Sequence, residues 1–207
     1  MTEPAWATDA VNDLNDSMRW FNWRRKIVTP AAGPHISVPR TAMDAFEAMS
    51  KRRSVRKYRR GHTTREQLSQ IVNMGRLAPT ARNEQPWEFV VVTEPAKLRQ
   101  LAHLTEHGRF LTDADACIAV LCRDCTYYLE DGSAATTQML LAATALGLAS
   151  CWIAGDKKAY APAVVRLLGA PEAYKLVSLI AIGQAAETPS PPKRALQEVL
   201  HWEKFSR

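Results

Sequence analysis

The densest group of chemically useful side chains is a basic run at residues 51–60. Seven of its ten residues are Lys or Arg, and Ser54 lies among them. Val55 and Tyr58 alternate with the charges as in a short strand, which would direct Ser54 and Arg56 to one face. Because a planar guanidinium binds phosphate oxygens in pairs, that face could hold a phosphate group. The alternative is an ordinary solvated charge run.

A polar segment between two prolines, at residues 79–87, is the second candidate. It offers the side chains of Thr80, Asn83 and Gln85 between those prolines. Proline fixes its own φ and keeps the preceding residue out of the helical region, so we expect an extended backbone here. The hydroxyl and amide groups would then form a platform for a polar ligand. A plain turn is the alternative.

The cysteines and histidines indicate no metal centre and no catalytic triad. Cys122 and Cys125 have the separation of zinc and redox pairs, but a structural zinc ion needs four ligands and no second close pair exists. Cys122 falls in an apolar strand pattern, where a thiol usually acts as a small hydrophobe. The sequence also lacks a Walker motif and a G-x-G-x-x-G fingerprint after a strand. We therefore expect no metal and no catalytic side chain.

Composition and charge limit the possible class of protein. The 207 residues, 46% hydrophobic and 23% charged, fit one globular domain of ordinary size. A net charge of +6 suits an anionic ligand and is also compatible with non-specific nucleic-acid binding. The chain has no apolar run of membrane-spanning length and does not begin like a signal peptide. These features predict a cytoplasmic protein without a membrane span.

Periodicity predicts helices and strands that alternate along the chain. Capping patterns at Thr41 and Thr63 open two helices, the second with Leu68, Ile71, Val72 and Leu77 as its buried side. Further helices are predicted at 95–104, 131–146 and 162–168, and strands at 89–92, 116–121, 148–155 and 175–182. This order indicates an α/β or α+β domain of three layers.

The first 40 residues form a predicted extension to a domain at residues 41–207. Apolar residues from Val11 to Phe21 have helical spacing, and the basic residues 24–26 follow. Such a basic, aromatic helix could lie on a membrane surface, clamp a partner subunit, cover a site or simply pack on its own protein. Prolines and a glycine then predict a linker.

Four segments together resemble one family, and they do so in the same order. These are the motifs at residues 52–56, 78–87 and 147–155, followed by Lys193-Arg194. Their order and spacing resemble those of the FMN-dependent nitroreductase family, over roughly residues 41–205. The resemblance implies an α+β three-layer fold with a mostly antiparallel central sheet flanked by helices. It also implies an intertwined homodimer with FMN at the subunit interface.

The resemblance assigns the cofactor-binding residues by segment. The phosphate would be held by Arg52, Arg53, Ser54 and Arg56, with Lys193 or Arg194 from the tail. The partner subunit would supply Pro79, Thr80, Ala81, Asn83 and Gln85. Trp152, Ile153, Ala154 and Gly155 would lie near the reactive N5 atom of the flavin, with Arg109 a candidate near its pyrimidine ring.

The implied function is reduction of nitroaromatic, quinone or related acceptors by NADH or NADPH, in a ping-pong mechanism through flavin N5. The flavin carries the redox chemistry, so the missing triad does not count against an enzyme. Two alternatives stay open. One is different flavin chemistry on the same fold, such as reductive dehalogenation or flavin fragmentation. The other is a non-catalytic protein that binds flavin or nucleic acid, although we expect no nucleic-acid partner.

Overall fold

The structure is a computed structural model that describes residues 43–206. The predicted extension, with its aromatic helix, its linker and its boundary at residue 40, lies outside the described residues. Within them, no helix combines the length and apolar character needed to cross a membrane.

A five-stranded antiparallel sheet forms the centre of the described residues. Its strands are β1 (Tyr58–Arg59), β2 (Trp87–Val92), β3 (Ala116–Cys122), β4 (Ala149–Ala154) and β5 (Lys175–Ala185). Strand β5 pairs with β3, with β4 and, near its C-terminal end, with β1, while β2 pairs with β3. Every residue of β3 is buried, as expected of an apolar strand covered on both faces. The predicted mostly antiparallel sheet is confirmed.

Helices cover both faces of this sheet. They are α1 (Ala45–Lys51), α2 (Arg65–Gly75), α3 (Pro95–Leu104), α4 (Tyr128–Ala145) and α5 (Ala161–Leu167), with short 3-10 turns at Ala81–Asn83, Arg109–Thr112 and Leu196–Glu198. Ile71 of α2 and Met139 of α4 belong to one buried cluster, and Leu101 of α3 and Val164 of α5 belong to another. The predicted three-layer α+β fold is confirmed.

Helix α2 begins one residue later than predicted. The capping side chain is that of Thr64, which accepts a hydrogen bond from the Gln67 N–H while Gln67 bonds back to the Thr64 N–H. Thr63 is buried and donates to Asp115 at 2.8 Å instead. Two overlapping capping patterns compete here, and the contact with Asp115 decides between them. The predicted start of α1 at Thr41 lies outside the described residues, and Asp44 caps that helix.

Three apolar side chains with helical spacing are exposed in the single protomer, and of these Leu77 was predicted to be buried. Phe46 and Met49 of α1 are exposed, and Ala48 is the residue that the helix buries. Leu77 is exposed because α2 ends at Gly75, before it can join the buried side. The helical spacing of these apolar residues does not show whether the same chain covers them.

Strand β5 continues to Ala185, three residues past its predicted end at residue 182. Gly183 lies inside the strand, against the ring of Tyr58. A Cβ at Gly183 would lie 2.9 Å from Tyr58 Cδ1, so a side chain there would displace the ring. The glycine therefore permits close packing between β5 and β1 and does not end the strand.

Candidate functional site

The basic motif lies beside the beginning of β4. Ser54 forms a parallel bridge with Ser150, and the Val55 N–H donates to the Ser150 carbonyl at 3.0 Å. Val55 and Tyr58 are both buried, and the Tyr58 hydroxyl donates to the Val55 carbonyl at 2.8 Å. The predicted alternating strand is limited to β1, because both apolar residues turn inward to anchor the loop. The motif is thus fixed against the strand that leads to residues 152–155.

A carboxylate from beyond β5 holds the same loop through its backbone. Glu187 Oε1 accepts hydrogen bonds from the Arg56 N–H at 2.7 Å and the Lys57 N–H at 3.1 Å. Neither guanidinium nor ammonium group takes part in these bonds. Glu187 therefore orders the motif and leaves its cationic side chains available to a ligand.

The arginines of the motif form no direct ion pair with a carboxylate of the described residues. Within residues 43–206, no carboxylate lies at ion-pair distance from the guanidinium groups of Arg52, Arg53 or Arg56. Arg53 donates to the carbonyls of Ser50 at 2.7 Å and Arg52 at 2.9 Å. Burial raises the pKa of the nearby Cys151 thiol, and Arg56 and Arg52 oppose that rise. Glu187 adds to the rise of this pKa, so charges of both signs at the loop act on β4.

The segment at residues 79–87 folds into a tight turn, so the predicted extended backbone is wrong. Its centre is the 3-10 turn Ala81–Asn83, and Arg82, Asn83 and Gln85 have φ values of 55°, 56° and 46°. Three such residues without glycine cost on the order of 1–3 kcal/mol each and concentrate where a fold serves a ligand. The prolines constrain only the two ends, which leaves the middle free to turn.

Asp131 holds this turn in place from the first turn of α4. Its Oδ1 accepts a hydrogen bond from the Ala81 N–H at 3.0 Å, and Asp131 as a whole residue is 5% exposed. Its Oδ2 is buried and has no hydrogen-bond partner within the described residues. The positive end of the α4 dipole offsets part of the cost of burying this charge. An acid at the start of an otherwise apolar helix was the only sequence signal for this role.

The end of β4 places the four predicted residues in different environments. Ile153 and Gly155 are buried, Trp152 is half-buried and Ala154 is exposed. The Gly155 N–H donates to the Val177 carbonyl of β5 at 3.1 Å, so this N–H already has an acceptor. A Cβ on Gly155 would lie 2.7 Å from the Leu176 carbonyl oxygen, which explains the glycine by packing.

The tail residues do not join the basic motif in this protomer. Lys193 and Arg194 are exposed. The Arg194 guanidinium bonds within the tail, to the Glu198 carboxylate at 3.3 Å and the Glu198 carbonyl at 2.6 Å. Arg109, the candidate for the pyrimidine ring, is exposed in the 3-10 turn after α3. These three assignments stay predictions.

The cysteine pair is placed between strand and helix without a metal-binding partner set. Cys122 is buried, and burial raises the pKa of its thiol to about 12. Cys125 is half-buried and also has a raised pKa because of burial. Across the described residues, no group of three His, Cys, Asp or Glu side chains could hold a metal ion. Both cysteines are free thiols.

The donor set beside β4 fits a phosphate dianion. Arg52, Arg53 and Arg56 supply cations without acidic partners, and Ser54 supplies a hydroxyl. The Ser150 Oγ is buried and has no hydrogen-bond partner among residues 43–206. Charge-assisted bonds from several donors are the usual way in which proteins hold phosphate. The structure therefore brings together two of the four predicted segments, residues 52–56 and 147–155. They surround a site suited to the phosphate of FMN.

Comparison with known proteins gives one consistent result. The model of the Nitroreductase family matches residues 49–120 and 123–184. A Methanothermobacter thermautotrophicus protein, provisionally named NADH dehydrogenase/NAD(P)H nitroreductase, is 30% identical over 177 residues, 83% of this chain and 93% of that protein. An FMN-dependent nitroreductase structure from Clostridium difficile is 29% identical with a TM-score of 0.73, covering 77% of this chain and 99% of that one. A Desulfovibrio desulfuricans structure, provisionally named a nitroreductase and in complex with FMN, is 28% identical with a TM-score of 0.69, covering 80% and 100%.

Proposed function

Because the chain belongs to the nitroreductase family, we propose that it uses FMN to pass electrons from NADH or NADPH to small acceptors of the nitroaromatic or quinone type. It is an FMN-dependent oxidoreductase of this family. The observation that carries the proposal is the cluster of arginines beside β4, which form no direct ion pair with a described carboxylate. Such a cluster suits the phosphate that every FMN molecule brings.

The residues of the basic motif hold the phosphate end of the cofactor. Arg52 and Arg56 supply charge, Ser54 supplies a hydroxyl, and Glu187 fixes the loop by accepting two backbone N–H groups. The Oγ of buried Ser150, which has no hydrogen-bond partner within residues 43–206, belongs to the residue that bridges to Ser54. In this arrangement the Glu187 carboxylate bonds the backbone of the loop, and the arginine side chains are left for the phosphate.

Side chains of the 79–87 turn serve the polar part of the cofactor. Thr80, Asn83 and Gln85 offer hydroxyl and amide groups of the kind that a ribityl chain can bond. The turn is hydrogen-bonded to Asp131 of α4. The basic motif is instead hydrogen-bonded to Ser150 of β4 and to Glu187. A homodimer with FMN between its subunits would unite the two segments in one site.

The chain orients the reactants and leaves the redox step to its cofactor. FMN, when bound, supplies the atom that accepts and donates hydride, so no side chain has to act as acid, base or nucleophile. The exposed end of β4 at Ala154 offers backbone close to the ring. Donor and acceptor would use the same position in turn, which predicts ping-pong kinetics.

A spectroscopic titration of the purified protein tests this function. We expect a yellow protein whose flavin absorption disappears on addition of NADH or NADPH without oxygen and returns when menadione or nitrofurazone is added. A colourless protein that takes up no FMN would refute the proposal. Reduction by the nucleotide without reoxidation by either acceptor would favour a different flavin chemistry on this fold.

A further inference from the structure

A cationic cavity lies directly beyond the end of β4. It has a volume of about 500 Å³, within the range of small-molecule sites. Its charged lining residues are Lys157, Lys158, Arg166 and Lys175 against Asp156 and Glu172, so four positive charges face two negative ones. The lining itself therefore carries more positive than negative side chains.

The charges of this cavity are only partly neutralised. Lys158 pairs with Glu106 at 3.6 Å and Lys175 with Asp124 at 3.1 Å, both carboxylates lying outside the lining. Within the lining, Asp156 lies 4.0 Å from the Lys157 ammonium through Oδ2 and accepts the Tyr128 hydroxyl at 2.7 Å through Oδ1. Each of the three lysines therefore has a carboxylate partner, and only Arg166 among the four cations has none within residues 43–206.

Arg166 differs from the three lysines of the cavity. Within the described part of the chain, no carboxylate lies at ion-pair distance from its guanidinium. It also lines a neighbouring groove of about 700 Å³ between α3 and α5, together with Arg99 and His103. No carboxylate belongs to the lining of that groove. A positive surface thus continues from the cavity along α5.

The position of the cavity relates it to the proposed chemistry. Asp156, which lines it, follows Gly155 directly, and Lys157 holds a left-handed φ of 59°. Such backbone strain in a non-glycine residue often accompanies a binding loop. A ring seated against residues 152–155 would lie next to this cavity. A dinucleotide that brings its nicotinamide to that ring must extend its phosphates away from it.

We propose that this cavity and the groove beyond Arg166 bind the phosphate groups of the NADH or NADPH donor. The inference rests on the proposed function and adds a specific donor site to it. Arg166 and Arg99 supply the charges that hold the adenosine half, and Lys157 and Lys158 flank the phosphates nearer the ring. Because the surface is open to water, binding weakens as salt rises.

Kinetics with two kinds of donor test the site. For R166E and the milder R166Q, we compare kcat/KM for NADPH with kcat/KM for N-benzyl-dihydronicotinamide, a hydride donor without phosphate. We expect the ratio of the two to fall about tenfold, the effect of losing one charge-assisted contact. The matched variants R65E and R65Q change the same charge on α2, outside both linings, and should leave the ratio unchanged.

Inhibition of the unmodified enzyme gives a second measurement that needs no variant. Adenosine diphosphate should compete with NADPH, and adenosine without phosphate should inhibit at least tenfold less. An unchanged donor ratio in R166E and R166Q, or equal inhibition by the two adenosine compounds, would overturn the donor site while the enzyme still reduces its acceptors. If neither donor reduces bound flavin, the proposed function fails and this site fails with it.

Discussion

Two carboxylates, those of Glu187 and Asp131, shape the candidate site through hydrogen bonds to backbone N–H groups. Glu187 bonds the backbone N–H groups of Arg56 and Lys57, and Asp131 likewise bonds the Ala81 N–H. Each acid therefore fixes a loop without neutralising a cation. The hydrogen bonds of each acid stabilise the conformation of a loop, and the guanidinium groups remain available to a ligand.

Removal of the motif arginines should weaken FMN binding. A charge-assisted contact contributes on the order of 1.5–3 kcal/mol, so R52A and R56A should each raise the FMN dissociation constant roughly tenfold or more. Fluorescence titration of the apoprotein with FMN measures this change. R60A removes a charge from the exposed end of the same run and serves as the control. An unchanged constant in R52A, R56A and the double variant would show that the phosphate binds elsewhere.

At the scale of helices and strands, local pattern predicted most of the fold. The apolar run at 116–121 became the buried β3, and the glycines after the predicted helices at 131–146 and 162–168 adopt φ values of 74° and 70° at Gly147 and Gly169. Such signals depend on neighbours in sequence. Boundaries moved by one to three residues where a distant contact intervened, as at Thr63 and Asp115.

Long-range contacts explain what the sequence could not reveal about the site. The turn at Ala81–Asn83 depends on Asp131, and the basic loop depends on Glu187 far along the chain. Neither pairing has a local pattern. The sequence therefore predicted the segments that we propose to bind the cofactor and missed the two acids that position them.

The contact between α4 and the 79–87 turn can be tested at Asp131. D131A leaves the Ala81 N–H without its acceptor, which should cost about 1–3 kcal/mol of unfolding free energy and weaken FMN binding. Urea unfolding and FMN titration measure the two effects. D131N keeps an oxygen that can accept the same bond and should retain most of both. If D131A binds FMN and resists urea like the unmodified protein, the turn does not depend on this contact.

At the scale of the whole molecule, residues 43–206 expose several large apolar side chains. Phe46 of α1 is 86% exposed, and in the tail Leu196 is 63% and Trp202 77% exposed. Isolated exposed residues are common, but a tail with several of them indicates a surface that another chain covers. A second copy is the occupant that would also bring the 79–87 turn to the basic motif.

Oligomeric state and cofactor content should therefore change together. L196A/W202A removes two large tail contacts and should shift sedimentation from a species near twice the 23.1 kDa chain mass toward one chain, with loss of bound FMN. L196M/W202F keeps the apolar volume and should stay dimeric and yellow, because volume-conserving swaps cost little at a packed surface. Sedimentation velocity recorded at protein and flavin wavelengths follows both properties in one run. A monomer that retains stoichiometric FMN would contradict the interface, since one protomer would then complete the site alone.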